Sequence, residues 1–354
     1  MSPFNNAPPP PVTNWAVLAA LRFFLAWVVL SGHVFWFTPN AGSVFRFFDS
    51  FGGKPAVLGF LMVSGYSIAA SLRKDANGFY RRRIIRLYPL YFCSLILAVA
   101  LQVVLKEVPT RIQVLHPSGS LTVLGNFLLL QMFLVKSIAY DPVVWSLSIE
   151  FSYYLLAPFL ARLNTRTIFA MIVVSGLAYV AFKVGDSGFL LHAINKCNPL
   201  KYLWAWLLGF VCFRDQRPVV LVAVAVVGAP LVALANEDSL ALVTFGLSYL
   251  LLNASGKLPS GHFQKNVMNY LGDLSYPMYL VHFPCFVICV FLVGISNVWI
   301  FVVLTLLATV LSYHLVDIYL KRIVFVPMIN EVIRRWGSGL ELIFSRGGVL
   351  NKPH

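Results

Sequence analysis

Leu21-Arg22 and His33 stand eleven residues apart in an otherwise apolar stretch. Eleven residues are close to three helical turns, so both side chains project from one helix face, about 16 Å apart. An ionisable side chain at mid-depth in a bilayer costs roughly 2.5–3.5 kcal/mol on insertion scales. A face carrying two of them either lines something polar or reaches the headgroups, with Arg22 snorkelling and His33 lying at the interface. An imidazole titrates near neutrality, which makes His33 a candidate general base or nucleophile.

Four further stretches carry chemistry-bearing residues. In Phe60-Leu-Met-Val-Ser-Gly-Tyr66, the small Ser64 and Gly65 let a helix or a ligand approach the backbone. In Tyr80-Arg-Arg-Arg-Ile-Ile-Arg-Leu-Tyr-Pro89, Arg83 and Arg86 are three apart and share a helical face. Planar guanidinium groups bind phosphate oxygens bidentately, so this pair is a candidate phosphate clamp, and equally a positive anchor on the cytoplasmic side. Trp145-Ser-Leu-Ser-Ile-Glu150 places one carboxylate beside aromatic residues, where it can orient a base, pair with an arginine or serve as a structural counter-ion. Leu274-Ser-Tyr-Pro-Met-Tyr-Leu-Val-His282 puts Ser275, Tyr279 and His282 at helical spacing, and His314 and Asp317 fall in the last apolar run.

These residues need a scaffold, and composition says which. The chain is 59% hydrophobic and 11% charged, with a mean hydropathy of +0.80. That leaves too little polar surface for a soluble globule, so the lipid bilayer is the expected solvent. Apolar runs long enough to approach a crossing lie near 15–36, 55–72, 87–105, 121–135, 144–160, 167–184, 199–213, 218–235, 239–253, 270–292 and 296–320. The expected fold is an all-α integral membrane bundle of about ten transmembrane helices drawn from these segments. The basic cluster from Arg73 to Arg86 sets the cytoplasmic side after the second run. Dropping one run between 121 and 160 as re-entrant returns the later basic clusters to that side, with both termini inside; 121–135 is the shortest fit. The expected divisions are a cytoplasmic tail over 1–14, a membrane domain over 15–322, and a tail over 323–354 with an interfacial helix near Ile329 to Trp336.

Net charge is +14, but the basic residues form short clusters suited to anionic headgroups, so nucleic acid is not an expected partner. Cys93, Cys197, Cys212, Cys285 and Cys289 lack metal-ligand spacing and read as small hydrophobes, with neither a disulfide framework nor a metal expected. The N-terminal segment lacks the basic start and cleavage site of a signal peptide, so the first run is expected to stay as a helix. Nothing in the sequence marks an oligomeric state.

Taken in order, the five stretches resemble the acyltransferase 3 family of bacterial membrane acyltransferases, which O-acylate O-antigen, exopolysaccharide and nodulation factors. The resemblance rests on Arg22 and His33, on Phe60 to Tyr66, and on Arg83, Arg86 and Pro89. Trp145 to Glu150 and Tyr279 to His282 complete it. It spans roughly residues 15 to 320. Asp317-Ile-Tyr stands where the family has a Glu followed shortly by Pro, and the chain resembles the members without an appended esterase-like domain. The resemblance implies a bacterial inner-membrane enzyme with no tightly bound cofactor. It takes acyl-CoA, commonly acetyl-CoA, as co-substrate and a carbohydrate hydroxyl as acceptor. On that reading Arg83 and Arg86 bind the donor phosphates, and Arg22 helps hold the donor or lines the passage. His33 acts as base or acyl carrier, Glu150 fixes its tautomer, and Ser64 and Trp145 shape the thioester pocket. The rival class is a transporter using the same His, Arg and Glu as a pathway, which predicts inverted repeats and paired broken helices that the sequence does not display.

Overall fold

In the computed structural model, which describes residues 9–184, 198–236 and 238–345, the apolar runs wind into helices. Among the described residues, seven helical segments are long and apolar enough to cross a membrane. They include α1 (Trp15–Phe37), α3 (Gly53–Lys74), α4 (Phe79–Val104) and α6 (Trp145–Leu160), the last entered through a 3-10 turn at Pro142–Val144. Between α1 and α3 lies the short α2 (Ser43–Asp49), and between α4 and α6 the short α5 (Ser120–Phe127). Three less extended apolar helices follow or intervene: α7 (Thr165–Val184), α8 (Asn198–Arg214) and α10 (Ala241–Ala254). The remaining long segments are α9 (Pro218–Ala235), α11 (His262–Val287) and α12 (Val298–Ser312). The only strands among the described residues are the two-residue pair β1 (Val108–Pro109) and β2 (Val114–Leu115), antiparallel.

The run at 121–135 does not form a long helix, because the chain folds back on itself after Phe127. Helix α5 stops at Phe127, and the Asn126 side chain donates to Lys136 O at 2.8 Å and accepts from the Ile138 N–H at 3.1 Å. Leu129 and Met132 adopt left-handed φ of 58° and 68°, which ends helical winding. Buried Gln131 then ties the loop to Tyr91 and to the Val144 carbonyl.

Two helix contacts bring the functional stretches together. Helix α3 presses against α8 with no room for side chains: a Cβ on Gly65 would strike the Trp206 carbonyl, and one on Gly209 the Met62 carbonyl. Close backbone approach of this kind is how small residues hold membrane helices together. Helix α1 packs along α11, where Gly272 accommodates Ala19. Buried aromatic residues, among them Tyr66, Tyr153, Trp204 and Trp206, fill the centre.

Asn297 caps α12 by accepting from the N–H groups of Trp299 and Ile300. From Ser312 the winding loosens into a π segment, Tyr313–Phe325, and passes without a break into α13 (Val326–Ser345). The boundary expected at 322 is therefore not marked by any interruption of the helix. In α13, Arg334 and Arg335 both bind Glu331. Residues 1–8 and 346–354 of the expected tails, and Cys197, lie outside the described residues. The other four cysteines carry free thiols.

Candidate active site

Helix α1 carries Arg22 toward one end of the bundle and His33 toward the other, as their spacing requires. At His33 the partner is another histidine. Its Nδ1 lies 3.0 Å from His282 Nε2, and the two rings stack at 5.1 Å. His282 Nδ1 in turn lies 2.9 Å from the Met278 carbonyl, which can only accept. That carbonyl decides the tautomers: His282 must carry its proton on Nδ1, its Nε2 accepts, and His33 Nδ1–H donates to it. His33 Nε2 is left with the lone pair, which is the form a base or nucleophile needs. Trp36 and Phe283 pack edge-on to the His33 ring.

Glu150, expected to fix the His33 tautomer, is engaged elsewhere. Its Oε1 accepts from Ser64 Oγ at 2.6 Å and from Tyr154 OH at 2.5 Å. The orienting partner of His33 is His282, brought from 249 residues away in sequence.

A cavity lies between α1, α3, α4, α6 and α11. Its polar lining comprises Arg22, Ser64, Ser67, Arg83, Arg86, Ser146, Glu150, Tyr154, Ser275, Tyr276 and Tyr279, and aliphatic residues and Phe60 complete it. A second, wider compartment shares Arg22, Val63, Ser67, Arg83 and Arg86 with the first and adds Lys74, Asp273 and, near the N-terminus, Pro10, Pro11, Thr13 and Trp15. The shared residues set the two side by side. The inner cavity ends at Phe60 and Tyr279, whose rings meet at 5.6 Å. Tyr279 is held by Ser146 at 2.8 Å and the Val143 carbonyl at 3.2 Å, and the His282 ring lies 6.3 Å beyond it.

Electrostatically this passage is cationic. Among the described residues Arg22, Arg83 and Arg86 form no ion pair, and buried Nε–H groups of Arg22 and Arg83 have no hydrogen-bond partner. Arg83 donates to Ser71 at 2.9 Å and stands over the rings of Phe79 and Tyr154. Unsatisfied buried donors on guanidinium groups are costly unless water or an anion reaches them, and an anion gives the stronger, charge-assisted bond. The arrangement can therefore bind a polyanion at its wide end and hold a chain in its apolar inner half. Outside the helices, Asp215 lies beside Arg217, whose guanidinium holds the carboxyl below the usual carboxylate range; it is remote from this lining.

Of the residues singled out in sequence, Arg22, Ser64, Arg83, Arg86, Glu150 and Tyr279 meet in the inner cavity, and His33 and His282 pair behind its far end. Trp145, Tyr66, His314 and Asp317 do not line it. Trp145 packs on Tyr202 at 5.2 Å, Tyr66 is buried with its hydroxyl 2.7 Å from Thr13 Oγ1, and Asp317 forms an ion pair with Lys321 at 2.7 Å. Sequence reasoning missed Ser67, Ser146, Tyr154 and Tyr276. The first three lie three or four residues from Ser64 or Glu150, so helical spacing alone could have found them. Buried Asp141 was also missed; it accepts from Ser94 between α4 and α11.

Fold and cavity together define a polytopic α-helical membrane protein with a cationic passage leading toward a tautomerically fixed histidine. The chain belongs to the acyltransferase 3 family, whose model, described as an acyltransferase domain, matches residues 15–317. It is similar to the acyltransferase MdmB of Streptomyces mycarofaciens, with 32% identity over 169 residues that cover 44% of this chain and 41% of that relative. The chain thus matches less than half the length of that relative. No solved structure matches the chain.

Proposed function

We propose that this protein transfers an acyl group, in the first instance acetyl, from acyl-CoA to a hydroxyl of a lipid-linked or cell-surface carbohydrate. The observation that carries the donor half is the set of three unpaired arginines around one passage. A phosphate-rich donor with a long flexible arm fits a wide basic mouth that narrows to an apolar chamber. In this reading Arg83 and Arg86 hold the phosphates, Arg22 lines the entry, and the arm runs inward past Ser64 and Glu150. The thioester meets His33 when the Tyr279 side chain turns aside from Phe60.

His33 Nε2 then takes the proton of the acceptor hydroxyl as its oxygen attacks the thioester carbonyl. The C–S bond breaks, and the thiolate leaves with that proton as free CoA. The same lone pair also serves a two-step route, in which Nε2 takes the acyl group and passes it to the hydroxyl. The carbohydrate acceptor rests on the family resemblance. The membrane is the bacterial inner membrane, with ten spans formed by the seven long segments and the three less extended helices, and with both termini cytoplasmic.

The test supplies envelope membranes with acetyl-CoA labelled in the acetyl group and compares the natural protein with His33→Ala and Arg83→Ala at matched expression. The proposal expects alkali-labile label in glycan, lost in both variants, with the Arg83→Ala defect partly restored by more acetyl-CoA. Label that never enters glycan, together with His33-dependent movement of a solute, would replace it with transport.

A further inference from the structure

The wide compartment has a side that the arginines do not explain. Pro10, Pro11, Thr13 and Trp15 line it together with Lys74, Arg83 and Arg86. This short segment before and at the start of α1 is pinned at both flanks. Thr13 Oγ1 lies 2.7 Å from Tyr66 OH in α3. Asn14 Nδ2 donates to the Leu258 carbonyl at 3.2 Å and to Ser260 Oγ at 2.8 Å, both beyond α10. The backbone fits so closely that a Cβ on Gly256 would strike the Val12 carbonyl. A tail held only by its own helix would need none of these contacts.

The surface so fixed is flat, apolar and aromatic. The Trp15 ring packs edge-on to Tyr66 at 6.0 Å and remains 47% exposed, which leaves indole surface free for a ligand at the compartment wall. Beside it stand Lys74, Arg83 and Arg86, which form no ion pair among the described residues, against the one carboxylate of Asp273 in the same lining. A ligand that suits both is a phosphorylated nucleotide, with phosphates on the guanidinium and ammonium groups and a purine ring against proline and indole. We propose that the segment from Pro10 to Trp15 is a strap forming the base-binding subsite of the donor mouth, with Trp15 as its principal contact. The inference rests on the acyl-CoA reading and adds to it the element that recognises the adenine.

The experiment measures equilibrium binding to the purified full chain in detergent with three probes: CoA, adenosine 3′,5′-bisphosphate, and 4′-phosphopantetheine, which lacks the base. Variants are Trp15→Ala, Trp15→Phe and Thr13→Val, each checked for an unchanged elution profile and melting temperature. Trp15→Ala is expected to weaken CoA and adenosine 3′,5′-bisphosphate about tenfold, equivalent to about 1.4 kcal/mol, and to leave 4′-phosphopantetheine unchanged. Trp15→Phe should restore most of the loss. Thr13→Val, which detaches the strap from Tyr66, should weaken the same two probes severalfold and serves if Trp15→Ala fails to fold. Equal binding by all variants overturns the strap while leaving the donor reading intact, and so does a loss shared by all three probes, which marks the segment as scaffold. If the natural protein binds neither CoA nor adenosine 3′,5′-bisphosphate, the donor reading falls and the strap with it.

Discussion

Replacing His282 by leucine removes the Nε2 acceptor 3.0 Å from His33 Nδ1–H, leaving the Val29 carbonyl one turn back on α1 as the acceptor near the ring, while keeping an apolar volume against Tyr279 and Phe286. Trp36 and Phe283 offer no other acceptor. An unsatisfied buried donor costs about 1–3 kcal/mol. His33 can reduce that cost by turning its N–H onto the Val29 carbonyl, which misaims Nε2, or by moving its proton to Nε2, which surrenders the lone pair the reaction needs. Either route raises the barrier, and about 1–3 kcal/mol corresponds to a fall in kcat of roughly five- to 150-fold. His282 does not line the cavity, so KM for acyl-CoA should stay near its original value. His282→Gln, which sets a carbonyl oxygen near the former Nε2, should recover part of the loss. The assay is initial rate against acyl-CoA concentration for protein reconstituted in nanodiscs. Wild-type kcat in His282→Leu, or a defect confined to KM, would refute the tautomer argument.

Other outcomes follow from the packing. Gly209→Ala drives a methyl group into the Met62 carbonyl, and with overpacking worth about 1–3 kcal/mol the variant should melt earlier in detergent; an unchanged melting temperature contradicts the α3 and α8 contact. Asn126→Leu deprives Lys136 and Ile138 of their side-chain partner, so proteolysis at 128–141 should quicken while donor binding persists. Asp215, with its carboxyl held down by Arg217, contributes stability that is complete above the ordinary aspartate pKa of about 3.9 and is lost as pH falls below about that value. The melting temperature of the natural protein should therefore drop more steeply below pH 4 than that of Asp215→Asn, and parallel curves would count against the pairing.

Much of this molecule was legible without coordinates. Apolar run lengths announced a helical membrane protein because a bilayer demands helices of a minimum length whatever their neighbours. The eleven-residue interval put Arg22 and His33 on one face, since helical phase is local, and the three-residue interval joined Arg83 to Arg86. What the sequence could not contain was which helices meet and how each is turned about its axis. These helices are apolar nearly all round, so no polar face announces the inward side, and in lipid the choice passes to close packing such as Gly65 against Trp206. That choice made His282, not Glu150, the partner of His33, and gave Glu150 to Ser64 and Tyr154. It also decided that Asn126 would fold the 121–135 run back on itself, because a side chain that captures backbone ten and twelve residues ahead acts only once the chain has returned to meet it.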